Sequence, residues 1–298
     1  MFESHLGELA ALGTAVCWTA TSISFELAGR KIGSLSVNLI RLVMAFFLIG
    51  VYTLFTRGMF LPLDASPHIW MWLSLSGLIG FVIGDLFLFQ AFIEVGARIS
   101  MLLMASAPPI TALLGFIIMG EVLNVQELIG MLITISGIAT VILVRKSDDK
   151  KLALAHPVKG LTYAFLGALG QSLGLILSKK GMGSYNAFAA TQIRIIFAII
   201  GFSIVITILK RWPNIKTAVR NSDAMKKVSL GAFFGPFLGV SLSLIAVQFT
   251  TTGVASTIMG IVPVLIIAPS IMIFKEKISP KEILGAIITV IGVSLLFL

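Results

Sequence analysis

Apolar blocks of about 20 residues recur along this 298-residue chain, and short breaks between them hold nearly all of its charge. A helix of that length crosses a hydrocarbon core of about 30 Å. Hydrocarbon offers no hydrogen bonds to an open backbone, so blocks of this kind are expected to be membrane-spanning helices. Composition points the same way. The chain is 57% hydrophobic and 12% charged, against roughly 45–50% and about 25% in a soluble domain.

The blocks lie near 7–27, 35–56, 69–92, 99–119, 127–144, 159–178, 187–209, 228–249, 254–274 and 282–298. The reading is an all-α membrane protein of ten transmembrane helices. Its net charge of +9 does not indicate nucleic acid, because the Lys and Arg sit between apolar blocks and not along one helix face. The single cysteine, Cys17, has no intrachain partner and says nothing about redox compartment. The first block follows no basic segment and no small-residue cleavage site, so it is expected to stay as a span.

Sliding the chain by 155 residues lays Gly80-Phe81-Val82-Ile83-Gly84 on Gly235-Pro236-Phe237-Leu238-Gly239 and Pro108 on Pro263. The same shift pairs Glu121 with Glu276, Glu127 with Glu282, Gly130 with Gly285, Thr134 with Thr289 and Gly137 with Gly292. Arg41 and Arg194 match at a shift of 153. Chance does not align so many Gly, Pro and charged positions, so the chain is read as two repeats: residues 1–144, a basic inter-repeat loop 145–158, and residues 159–298. Five spans is an odd number, so the second repeat enters the bilayer from the other side and the repeats are inverted. The loops after spans one, three, five, seven and nine hold 17 Lys and Arg, counting Lys159 at the first position of span six, and the other loops and termini hold 3. Cytoplasmic loops carry such an excess, so both termini are expected on the extracytoplasmic side of the cell membrane.

The residues open to chemistry are few. Asp85 falls in the middle of span three, where an ionised carboxylate is costly unless paired or hydrated. Helical spacing puts Phe81, Phe89 and Phe92 on its face. That face suits an amine, a cation or a proton, or else an ion pair with Arg41 or Arg194. The two arginines lie about two turns inside spans two and seven, within reach of an interface, and their recurrence in both repeats favours structural anchors. Pro108 and Pro263 are expected to bend spans four and nine beside a central cavity, since each removes a backbone donor. Trp18, Gln90, Gln171, Gln248 and Thr257 are polar groups available to a solute pathway. The GxxxG steps at Gly80 and Gly84, and at Gly235 and Gly239, read first as helix-packing seams, with Gly77 and Gly231 extending them. Glu121 and Glu276 read as marks of the water boundary, and His5, His68 and His156 as solvated histidines at span edges.

Gly170-Gln171-Ser172-Leu173-Gly174 matches the GxSxG nucleophile pattern. It lies inside an apolar helix, and no His follows Ser172, so it is not read as catalytic. No phosphate loop, HExxH or Cys/His metal cluster occurs. The chain is expected to be no enzyme and to need no cofactor.

Arg in a second span, Pro in a fourth, then Gly-Glu and a glycine-rich last span form a repeated pattern. In the first repeat it reads NLIRLVMAFF and ASAPPITALLGFIIMGEVLNVQELIGMLITISGIATVIL. In the second it reads TQIRIIFAII and GIVPVLIIAPSIMIFKEKISPKEILGAIITVIGVSLLFL. This pattern resembles the EamA family of the drug/metabolite transporter superfamily, over nearly the whole chain. The resemblance implies a ten-helix bundle whose cavity is lined by spans one, three, four, six, eight and nine, and movement of small metabolites driven by ion gradients and not by ATP. This chain departs from the family in two ways. Lys275 precedes Glu276 where Gly120 precedes Glu121, and the charge count puts the termini outside where family members usually have them inside. The function expected is transport of a small metabolite or drug-like solute, by an exporter or secondary active carrier open to proton coupling. A passive facilitator and a scaffold without flux are the alternatives.

Overall fold

A computed structural model describes residues 5–119, 125–145, 152–154, 156–249, 255 and 258–295. Helix α1 (Leu6–Ile32) and α2 (Ser34–Arg57) meet at Gly33, whose φ of 79° only glycine adopts readily. Ser66 then caps the start of α3 (Pro67–Met104), its side chain accepting from the Ile69 N–H, with Pro67 in the first turn. After α4 (Ala107–Met119) and α5 (Val125–Ile142), strands β1 (Leu143–Arg145) and β2 (Leu152–Leu154) pair antiparallel, with Val144 opposite Ala153. The second half holds α6 (Val158–Met182), α7 (Ala187–Ile208), a short α8 (Trp212–Val219) and α9 (Ser222–Phe249). It ends with α10 (Val262–Leu265), α11 (Ile267–Phe274) and α12 (Pro280–Leu295).

Among the described residues six helices, α1, α2, α3, α6, α7 and α9, are long and apolar enough to cross a membrane; Leu128–Ile142 and Val262–Phe274 are shorter apolar runs. Large apolar side chains such as Phe55 (84% exposed) and Ile208 (72%) point outward, which suits lipid and not water.

Spans three and four were expected as 69–92 and 99–119; the helical run from Pro67 to Met104 leaves helical geometry at Gly96 (φ 81°, ψ 161°), inside that expected break. A single glycine in that conformation kinks the chain without a polar loop. Within the expected ninth span, the described residues form α10 and α11 as separate short helices.

The helices pair as two repeats about a pseudo-twofold axis would. Helix α2 packs on α7 and α5 on α12, each on its own repeat mate, while α3 on α6 is matched by α9 on α1. The α5–α12 contact is reciprocal. A Cβ on Gly137 would lie 2.5 Å from the Thr289 nitrogen, and one on Gly292 2.3 Å from the Thr134 nitrogen. At α3–α6, a Cβ on Gly170 would lie 2.5 Å from Gly84 Cα, and one on Gly174 2.8 Å from Gly80 Cα. The GxSxG-like stretch is therefore one side of a glycine seam, and the GxxxG step of α3 is the other. Its Ser172 hydroxyl is spent on the Ala168 and Ala107 carbonyls.

Both seams of the long helices run through π-helical turns, Gly77–Gly84 in α3 and Phe233–Gly239 in α9. The second contains Pro236, which cannot donate to the helix ladder. The first hands over to α-helix at Asp85.

Candidate functional site

A cavity of about 180 Å³ lies where the repeats meet. Helices α1, α2, α3, α4, α6, α7, α9 and α10 all contribute to its wall. Most of the wall is apolar, including Phe25, Phe81, Phe89, Met101 and Met104. Its charged members are Asp85, Arg41 and Arg194, which are 4%, 3% and 4% exposed.

Asp85 is hydrogen-bonded through both oxygens. Arg41 Nη2 donates to Oδ2, and Gln171 Nε2 donates to Oδ1 at 2.6 Å. Arg41 is held in turn by Asn38, one helical turn earlier on α2, whose Oδ1 accepts from Nε at 3.1 Å. The Asn38 amide also donates to the Asp85 carbonyl at 3.3 Å. The Gly80 carbonyl, which accepts from the Asp85 N–H at the end of the π-helical turn, also accepts from Gln171 at 3.2 Å. A guanidinium in two hydrogen bonds to one face of the site is a rigid donor, and its faces lie on aromatic rings: Arg41 Cζ is 4.4 Å from the Phe89 ring centre and 5.4 Å from that of Phe25.

Arg194 differs from its repeat mate. It lies over Phe81 at 4.6 Å, and its buried Nε has no hydrogen-bond partner. Among the described residues it enters no ion pair, although Asp85, which hydrogen-bonds Arg41 and Gln171, attracts it across the cavity. Close packing holds it in place, since a Cβ on Gly77 would lie 2.3 Å from the Arg194 carbonyl oxygen.

The structure thus gathers Asp85, Phe81, Phe89, Trp18, Gln171, Pro108 and Pro263 around one space. The arginines expected to snorkel as anchors do not reach an interface: both are buried in that same space, because Asp85 and the phenylalanine rings offer them partners there. Gln248 lies elsewhere, its amide donating to the Tyr185 and Gly183 carbonyls at 2.8 and 3.3 Å. Gln90 accepts from Ser34 and donates to Glu94, away from the cavity wall. Thr257 and Glu121 lie outside the described residues. Sequence reasoning passed over Asn38 and Phe25. Asn38 had a signal, a polar residue three before an intramembrane arginine and hence on its face.

The two ends of the bundle are closed by different chemistry. At the end that carries the basic loops, Glu26 of α1, 1% exposed, accepts from the Ala97 N–H at 2.5 Å just after the Gly96 turn and pairs with Arg30 at 2.7 Å. Arg98 bridges to Glu276 at 2.6 Å and to Glu282, and Lys31 reaches Asp223 at 2.5 Å. At the other end Arg57 pairs with Asp64 at 2.5 Å, and the Tyr185 hydroxyl donates to Asp64 at 2.9 Å. Burial and then that bond to Asp64 push the Tyr185 phenol up to about 12.

These features have relatives. The model of the EamA-like transporter family matches residues 5–143 and again 158–298. An uncharacterized transporter of Clostridium kluyveri is 21% identical over 290 residues, covering 96% of this chain and 91% of that one. A solved crystal structure is similar with a TM-score of 0.65 and 16% identity, over 97% of this chain and 95% of the other, a likeness of fold. Two tandem matches, a multi-helix apolar fold and a buried cavity between the halves agree: the chain is an integral membrane protein and belongs to the EamA-like transporter family.

Proposed function

We propose that this transporter is a secondary active carrier of small solutes that alternates access to the central cavity by rocking its two inverted repeats against each other. The observation that carries the reading is the cavity itself: its wall is drawn from both repeats, and its charged members lie buried at the point where the repeats meet. The breaks beside Pro108 and Pro263 supply bends in the wall at matched positions. Ten spans accommodate the helices and short apolar runs, with residues 1–144 and 159–298 as the moving units and the basic stretch 145–158 as their link.

The basic loops are assigned to the cytoplasm and both termini to the outside of the cell membrane. The ion pairs of Lys31 and Arg98 at one end of the bundle support that assignment by drawing the ends of spans one, three, seven and nine together.

Asp85 is the coupling residue in this reading, as the sole carboxylate among the described cavity-wall residues. Protonation would release Arg41 from it and loosen the contact between α2 and α3, the step needed to couple a proton to the rocking motion. Flux in proteoliposomes with and without a pH gradient tests this. Asp85→Asn should lose the gradient-driven component, a drop of about ten-fold or more, with correct folding checked by size-exclusion profile. Undiminished, still gradient-dependent flux in that variant would remove the coupling role.

A further inference from the structure

We infer that the cavity recognises its solute by a carboxylate group, with Arg194 as the receiving residue; this rests on the transport reading above. The wall carries two guanidiniums and one carboxylate among its described residues, a surplus of one positive charge in an apolar space. Asp85 attracts both arginines but hydrogen-bonds only one of them: its Oδ2 accepts from Arg41 and its Oδ1 from Gln171, and Arg194 keeps a buried Nε with no acceptor. A buried, unpaired cation is costly unless an anion joins it.

The repeats say where that anion belongs. Arg41 and Arg194 are equivalent positions, and Arg41 is neutralised by Asp85 of its own repeat. The residue equivalent to Asp85 is Val240, which also lines the cavity. The second repeat has kept the arginine and lacks the acid, so the acid comes from the solute. A guanidinium presents parallel N–H donors that match a carboxylate in two-point contact. The surplus of one charge matches a monoanion, and a dianion would leave the cavity negative. Phe25, Phe81, Phe89 and Met101 then face the rest of the solute, which must be apolar. An amine is not favoured, because the one acid is already paired.

The experiment uses purified full-length protein in detergent, with phenylacetate and hexanoate as probes, each set against its primary amide and its amine of equal length. Thermal shift and calorimetric titration read the binding. The expected result is that both acids bind, and that amide and amine bind about thirty-fold more weakly or not at all. Arg194→Gln should weaken the acids by a similar factor, and Arg194→Lys should restore part of it. Val240→Asp, which supplies the missing acid internally, should also abolish acid binding. Equal binding of acid and amide, no binding of either acid, or preference for the amine overturns the inference without any variant. Flux of the same acids into proteoliposomes separates the two readings: binding that depends on Arg194 without flux refutes transport and keeps the site, whereas flux of other solutes with no acid binding refutes the site and keeps transport.

Discussion

Asp85 and the two arginines illustrate how one side chain can organise a membrane interior. In hydrocarbon an ion is tolerated only with partners, and the partners chosen here are a guanidinium, an amide and aromatic faces. The arginines consequently have unequal roles in stability. Arg41→Ala strands Asp85 without its counter-ion and removes the donor to Asn38, so a loss of about 3–5 kcal/mol is expected. Arg194→Ala removes a cation that has no ion-pair partner among the described residues, so its cost should be about 1 kcal/mol or less beyond lost packing on Phe81. Thermal unfolding of the two variants in the same detergent checks the order, which fails if Arg194→Ala is the less stable. Both arginines and the lone acid are visible in the sequence. Their meeting is not, because Arg41, Asp85 and Arg194 come from three helices, and the one-dimensional pattern is equally satisfied by arginines reaching for an interface.

At the scale of elements, the glycines act as spacing rather than as flexibility. Helices α3 and α6 touch backbone to backbone at Gly84 and Gly170, so no side chain can stand there. Gly170→Leu should force the helices apart, destabilise the protein by about 1–3 kcal/mol, and reduce flux, because α6 also carries Gln171 to Asp85. Unfolding temperature and proteoliposome flux measured together test it; unchanged values for both would mean that the seam opens freely. The seam on α3 was legible as a GxxxG step, whereas its partner was disguised as a nucleophile motif. The π-helical turns were not legible at all, since an extra residue per turn reflects how the helix is clamped at Gly80 and Gly84, or broken by Pro236, and not a residue preference. The break at Gly96 falls where the sequence put the end of span three, but the partner of its new helix start, Glu26, 71 residues away, was hidden.

At the scale of the whole molecule, two repeats with different ends make a transporter-family fold that is symmetric in plan and polar in detail. Arg98 bridges to Glu276 and Glu282 of the other repeat at the basic end, while Arg57, Asp64 and Tyr185 close the opposite end. If the basic end is cytoplasmic, a cysteine at Lys216 should react with impermeant maleimide only after the membrane is opened, and one at Asp64 should react in intact cells, both in a Cys17→Ala background. The reverse pattern would invert the assigned topology. The sequence by itself determined the membrane class, the two-repeat plan and the identity of the scarce polar groups, because hydrocarbon imposes length, apolarity and internal hydrogen bonding on every span taken singly. Only the tertiary structure decided which of those groups share a cavity and which arginine is left unpaired. Those are properties of the contacts between spans, set by where bare glycine backbones let helices meet and by which donors reach the Asp85 carboxylate.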